Sequence, residues 1–420
     1  MRFALLASSV LLGLSSAAAV QSQERKSYGG YKVFRLSVEQ DVAKVNNIIG
    51  KLGLTTWKGA PRAGAAADIV VPPSEVAAFE AEISGMNAIT MHEDLGASIA
   101  EESTFSTYAA GSANATWFNS YHSYNDHLQF LRDLQALYPT QSEVVTSGNS
   151  LNGRPITGIH FWGSSGKGKP AVVFHGTVHA REWITTMVVE YLAYNLLTNS
   201  DTPEVQGFLN KYDFMFFPVV NPDGFVYSQT NDRMWRKNRQ TVSGSSCVGH
   251  DINRNWPYQW SISGGASTSP CAQDFRGRRE GDAPETAALS SWLRTIRANQ
   301  GLKLYIDWHS YSQLFMTPYG YSCTALHSRN EELQSLARGA AAAIRAVHGT
   351  SFTTGPICST IYRVSGGSTD YAIDVAGADY SFAAELRDTG NYGFVLPANQ
   401  IVPSGEEAYA GVRYLLQNMR

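Results

Sequence analysis

Charge is scarce in this chain: Lys, Arg, Asp and Glu make up 16% of its 420 residues, against roughly 25% in an average domain. The formal net charge is −3, so no basic excess points to nucleic acid or to an anionic membrane surface as a partner. Cysteine is sparse as well, and Cys247, Cys271, Cys323 and Cys358 include no C-x-x-C pair, which argues against a structural cysteine–metal site. The metalloprotease signature H-E-x-x-H is missing, because His92-Glu93 is followed by Gly96 where the second histidine would stand. H-x-x-E-H is missing too, because Trp183 follows Glu182. Between Arg62 and Arg132 there is no Lys or Arg, which leaves a trypsin-type protease nothing to cut. No apolar run, the N-terminal one included, is long enough to span a bilayer.

What is present begins with Arg2, an apolar run from Phe3 to Leu14 and a small-residue end at Ala17–Ala19. This is the pattern of a secretory signal over residues 1–19, and it predicts a secreted, extracellular protein. An oxidising compartment favours disulfides among an even set of cysteines. Of the three possible connectivities, Cys247–Cys271, closing a Gly/Ser-rich loop, with Cys323–Cys358 is the expected one. Asn114-Ala-Thr116 is a glycosylation sequon on a polar stretch.

Two folding units are expected. In residues 20–95, strand-like alternation at 31–37 precedes a helical pattern of Val42, Val45, Ile48, Ile49 and Leu52. Strand signals follow at 55–58 and 67–71, then a helix carrying Val76, Phe79 and Ile83, then a strand at 88–92. That order packs as a small antiparallel, ferredoxin-like α+β sheet with two helices on one face. Residues 96–115 are rich in Ser, Ala, Gly, Thr and Glu and read as an exposed linker. From 116 to 420, apolar runs at 171–174, 211–220 and 302–307 alternate with helical patterns at about 182–197 and at the C-terminus. This predicts an α/β unit with a mixed, mostly parallel sheet and helices on both faces. Sites in such sheets lie outside the carboxyl ends of the strands. Nothing suggests a coiled coil or repeat, so a monomer is expected.

His179-Ala-Arg-Glu182 stands where a strand gives way to a helix, and His309 closes another strand-like run. Two histidines and a glutamate are a common catalytic zinc set, leaving one position open for water. Downstream, Asn253 and Arg254 form a pair suited to gripping a carboxylate through amide and bidentate guanidinium donors. Tyr362 lies beside a glycine hinge, Arg236 in a charged stretch, and Glu385 at the end of an apolar run.

Together the segments H-x-R-E, W-R-K, N-R-N-W, H-S-Y-S-Q, I-Y-x-x-S-G-G-S and E-L-R-D-T-G-x-Y-G-F-x-L-P resemble, in order, those of the secreted zinc metallocarboxypeptidases of the A/B type. The likeness is to the carboxypeptidase A family and its fungal members, and covers the chain from about Thr116 onward. The N-terminal unit resembles the family's inhibitory prosegment less specifically. The resemblance implies one zinc ion on His179, Glu182 and His309, the His₂Glu set by which carboxypeptidase A itself is known. It implies Asp251 as the acceptor orienting His179, Glu385 as general base and Arg236 as oxyanion stabiliser. Asn253, Arg254 and Tyr362 would hold a substrate's terminal carboxylate, with Arg181 also on the substrate path. The partners would then be peptides and proteins with a free C-terminus, and the chain's own prosegment as inhibitor.

The resemblance places Thr369 where relatives that cleave basic ends carry an acid. Met316, Gly320, Ile357, Val364, Gly367 and Ala383 match the other pocket walls. A neutral, apolar pocket rejects a cation, because an unpaired buried charge costs several kcal/mol, so aromatic or large aliphatic C-terminal residues are expected. Asp307 and Asp370 are near these positions, and either would reverse the preference if its charge faced the pocket. With no basic residue in the linker, maturation is expected within 101–115 by a protease that is not trypsin-like.

Overall fold

A computed structural model describes residues 25–420; the expected signal segment lies outside the described residues. The N-terminal unit runs β1 (Lys32–Val38), α1 (Val42–Lys51), β2 (Thr55–Thr56), β3 (Ala65–Val71), α2 (Val76–Glu82), β4 (Ala88–His92) and α3 (Leu95–Glu102). Its strands form an antiparallel sheet in the order β2-β3-β1-β4. Strand side chains alternate between faces. Phe34 and Leu36 of β1 and Ile69 and Val71 of β3 thus pack under Val45 and Ile48 of α1 and Phe79 of α2. The opposite face turns Arg35, Asp68 and Val70 toward the rest of the chain.

The stretch expected to be an exposed linker from residue 96 is helical as far as Glu102. Asp94 caps this helix by accepting from the Ala97 amide at 3.1 Å. Leu95 and Ile99, one turn apart, pack with Tyr28, Trp57, Tyr311 and Phe394. Two apolar residues among small and polar ones are a weak helical signal, and docking supplies the stability that propensity lacks. Downstream, Phe105 and Tyr108 also lie against the large core, and Tyr108 Oη donates to Asp133 at 2.7 Å. The connection adheres along much of its length.

The larger unit continues with α4 (Tyr124–Leu137), β5 (Ser142–Asn149), β6 (Pro155–Phe161), β7 (Ala171–Gly176), α5 (Trp183–Thr198), α6 (Pro203–Leu209), β8 (Asp213–Phe217) and α7 (Pro222–Thr230). Then come α8 (Pro284–Asn299), β9 (Leu302–His309), β10 (Leu314–Thr317), α9 (Asn330–His348), β11 (Thr353–Pro356), α10 (Ile357–Thr360), α11 (Ser368–Asp374), β12 (Ala378–Glu385) and α12 (Ile401–Asn418). The sheet order is β11-β10-β12-β9-β7-β8-β6-β5. The centre, β12-β9-β7-β8, is parallel, while β10–β12, β8–β6 and β6–β5 pair antiparallel. The apolar run expected as a strand over 211–220 is paired only over Asp213–Phe217.

Helices cover both faces. Val172 and Phe174 of β7 pack on α5, α9 and α12, whereas Ala171 and Val173 face α8 and α11. Leu304, Ile306 and Trp308 of β9 join the first core, so Asp307 and His309 project to the other side. Both expected disulfides are formed, Cys247–Cys271 and Cys323–Cys358.

Candidate active site

Three strand ends and one helix start converge on the site. After β7 the chain turns through Thr177, a non-glycine residue at φ 57°, whose hydroxyl donates to Pro218 O at 2.9 Å. The turn delivers His179 and Glu182 to the start of α5. Glu182 occupies the N-cap position, yet its side chain makes no cap bond and turns instead to the histidines. The positive end of the α5 dipole favours its charge. His309 ends β9, and the parallel register of β12 places Glu385 beside it.

His179 Nδ1 lies 2.9 Å from Glu182 Oε1. His309 Nδ1 lies 3.1 Å from Glu182 Oε2 and 3.1 Å from His179 Nδ1. All three residues are buried, and one ligating atom from each falls within 4.8 Å of the others. Two ring nitrogens this close cannot both carry protons toward each other. Their lone pairs converge with a carboxylate, the donor set that zinc prefers, so the residues present fit the ion. On the far side of the His179 ring, Nε2 meets Asp251 Oδ1 at 3.1 Å, which leaves Nδ1 as the coordinating atom. Burial pushes the Glu182 carboxyl up, but His179 and His309 outweigh it and hold it below the usual range. Burial and then the Glu182 charge raise Glu385 to about 8.

Arg236 is buried and gives Nε and Nη2 to Asp251 Oδ2 at 3.1 and 2.8 Å, with Nη1 3.8 Å from Glu182. Arg254 donates to Asn253 O at 2.9 Å, while its buried Nε has no partner among the described residues. Its guanidinium carbon is 5.6 Å from the Tyr362 ring centre.

The cavity beside His179, His309 and Glu385 is lined by every pocket residue expected from the sequence. Met316, Ile357, Val364 and Ala383 form one apolar cluster, and Thr369 is buried next to them. Of the two acids in doubt, Asp307 faces His309 and not the pocket, its Oδ2 lying 3.1 Å from Nε2. Asp370 does line the pocket, but its oxygens accept from the Gly320 and Tyr321 amides at 3.0 Å. Burial raises its carboxyl to about 7, against the pull of those amides.

The outer cleft holds residues that sequence reasoning missed. Its far wall is the segment 57–62 of the N-terminal unit, facing Arg181, Glu182 and Arg236. Arg181 Nη2 donates to Trp57 O at 2.6 Å. Arg62 donates to Ile361 O and stacks on Tyr362, 4.7 Å from ring centre. Lys58 donates to Ser312 Oγ at 2.9 Å. Tyr311 Oη donates to the fully buried Asp68, which also holds Arg35 Nε at 3.1 Å. Further out, Glu102 pairs with Arg233 through two contacts of 2.6 and 2.8 Å. Lys58 and Arg62 sit in a Gly/Pro loop that carries no motif.

A mixed α/β sheet with a buried His₂Glu cluster at its strand ends, beside a largely apolar pocket, is the arrangement of a zinc-dependent hydrolase. Residues 127–411 match the zinc carboxypeptidase family and residues 34–102 match the carboxypeptidase activation peptide; the chain belongs to the zinc carboxypeptidase family. It is 52% identical over 425 residues to a metallocarboxypeptidase A-like protein of Trichophyton verrucosum, with 99% of each chain covered. Carboxypeptidase A2 of Rattus norvegicus is 39% identical over 375 residues, with 88% of each covered. Among solved structures, thrombin activatable fibrinolysis inhibitor superposes with a TM-score of 0.86 at 29% identity, covering 92% of this chain and 98% of that one. The protein is therefore a metallocarboxypeptidase carrying an activation peptide, and its catalytic cofactor is one zinc ion.

Proposed function

We propose that this enzyme is secreted as a zymogen and, once matured, releases aromatic or large aliphatic residues from the C-termini of peptides and proteins. The observation that carries the specificity is the pocket itself: its walls are Met316, Ile357, Val364 and Ala383, Thr369 is neutral, and the Asp370 carboxylate is taken up by backbone amides. A cationic side chain entering there finds no free counter-charge.

His179, Glu182 and His309 would hold the zinc ion, which would supply Lewis acidity toward the scissile carbonyl and toward a water. Glu385 takes a proton from the attacking water and passes it to the leaving amine. Arg236, held by Asp251, offers Nη1 to the developing oxyanion. Arg254, whose Nε has no partner among the described residues, grips the terminal carboxylate with Asn253 and Tyr362, and this makes the enzyme an exopeptidase. Arg181 binds farther along the peptide.

The domain reading is residues 1–19 as signal, the N-terminal unit as inhibitory prosegment, a connection cut within 101–115, and a catalytic unit to 420. Inhibition is steric and electrostatic: segment 57–62 lies over the cleft, where Arg181, Tyr362 and Ser312 bind it. Among the described residues no helix is long and apolar enough to cross a membrane. Asn114 is exposed and suited to glycosylation.

The test uses the matured enzyme on N-blocked dipeptides ending in Phe or Arg, and on the amidated Phe peptide, with and without chelator. Chelator-sensitive release of Phe from the free acid alone is expected. Preferential release of Arg overturns the pocket reading, and cleavage of the amide overturns the carboxylate clamp.

A further inference from the structure

His179 and His309 are both expected to bind zinc through Nδ1, and each has a buried carboxylate at Nε2. The partner of His179 is Asp251, whose charge is shared with Arg236 and, at 3.9 Å, Arg254. The partner of His309 is Asp307, at 3.1 Å, and its situation is different. Asp307 is fully buried and, among the described residues, has no ion pair with arginine or lysine. Its Oδ2 accepts from the Ser368 hydroxyl, and its Oδ1 has no partner among the described residues. An ionised carboxylate so placed is costly unless a cation faces it. The cationic centre within reach is the ring of His309, with whatever that ring coordinates.

Asp307 lies two residues before His309 on β9, so the pleat turns both side chains to the same face. Asn253 Nδ2 also lies 3.1 Å from His309 Nε2, but an amide NH₂ cannot accept a hydrogen bond from the ring N–H, and a carboxylate can. Asn253 Oδ1 is occupied by the Ser368 amide at 2.8 Å, which keeps the amide in that orientation. Ser368 thus braces both neighbours of the ring: its hydroxyl holds Asp307 and its backbone holds Asn253.

We propose that Asp307 is a positioning residue for the metal, accepting a hydrogen bond from Nε2–H of His309, fixing the tautomer that presents Nδ1, and raising the basicity of that ligand. Ser368 acts behind it by orienting the carboxylate. The assignment rests on His179, Glu182 and His309 being the zinc ligands. It adds to them a second carboxylate–histidine pair, formed by a residue that the pocket reading treated only as a possible threat to specificity.

The test measures zinc affinity of the full-length protein by competition with a chromophoric chelator, for wild type, D307N, D307A and S368A. Metal-free thermal midpoints are measured alongside, and the visible spectra of the cobalt-substituted proteins are recorded. Loss of such a partner weakens metal binding about 10- to 100-fold. The expected order of loss is D307A, then D307N, then S368A, with cobalt bands shifted in D307A and D307N. D307N keeps the shape of the side chain and carries the test if D307A does not fold. Wild type binding one zinc while D307N and S368A bind within twofold of it, with unshifted cobalt bands, overturns the role of Asp307 but leaves the ligand set standing. A change in metal-free midpoint without a change in affinity does the same, because it shows a purely structural acid. Wild type that holds no zinc overturns the ligand reading itself.

Discussion

The zinc-ligand cluster and the lid over it are both assemblies of buried charge, yet they are built in opposite ways. In the cluster, Asp251, Glu182, His179, His309 and Arg236 come from strand ends and turns of one folding unit, and each charge faces partners at 2.8–3.8 Å within that unit. In the lid, the charges are shared between units: Glu102 answers Arg233, and Arg62 answers Tyr362 and Ile361. Asp68 accepts from Tyr311 across the same boundary. The first arrangement takes none of these contacts from the N-terminal unit and would keep them on its departure. The second would not, because departure strips Arg233 of its carboxylate and Asp68 of its tyrosine. Buried pairs are strongly destabilised when one partner is lost, so the lid is held tightly while the chain is whole.

The comparison breaks most visibly at Glu385. Glu385→Gln is expected to lower kcat of the matured enzyme about 10²- to 10⁴-fold, the range for a lost general base, with zinc content unchanged by elemental analysis. A smaller loss would place the proton transfer elsewhere in the cluster.

The lid is next. Glu102→Ala leaves Arg233 buried and unpaired, a cost of about 3–5 kcal/mol. After cleavage in the connection, the variant prosegment should dissociate far faster than wild type, read as the rate at which activity appears. An unchanged rate would show that segment 57–62 alone sets retention.

Asp370 sharpens the contrast from the pocket side through pH. Burial raises its carboxyl to about 7 in the folded protein, above the ~3.9 of an unfolded chain. Its contribution to stability is therefore fully present below about pH 4 and is lost as pH rises toward 7. The loss is on the order of a few kcal/mol for a shift of this size. Denaturant unfolding at pH 4.5 and 7.5 should show wild type losing stability relative to Asp370→Asn over that interval. Parallel curves would refute the assignment.

Arg62→Ala is the mildest. It removes the stacking contact on Tyr362, about 0.5–2 kcal/mol, together with the hydrogen bond to Ile361 O, and should raise the residual activity of the uncleaved chain severalfold.

Much of this was legible in the residues. The spacing of His179 and Glu182, the strand-ending His309 and the apolar run into Glu385 carry chemistry that few other residue types could perform, and their motifs are local. The α1 and α2 periodicities and both disulfides were legible for the same reason: each is a short-range pattern or the most economical pairing of few cysteines. The α3 helix was not, since Leu95 and Ile99 are its only large apolar residues and its inner face exists only against Trp57 and Phe394. Nor were Lys58 and Arg62, which look like solvated loop charges until the cleft is beneath them.

By itself, then, the sequence supplied the side chains that the chemistry needs, and its resemblance to the zinc carboxypeptidases supplied the roles proposed for them as ligands, base, clamp and neutral pocket position. Only the tertiary structure decided which way Asp307 and Asp370 face. Asp307 lies on the same strand face as His309, and its carboxylate goes to that ring; Asp370 caps backbone amides in the pocket wall. That is a matter of sheet register and helix placement, set by contacts between residues dozens of positions apart. The lid's buried pairs belong to the same class, because Glu102 and Arg233 lie 131 residues apart and are neighbours only in the folded protein.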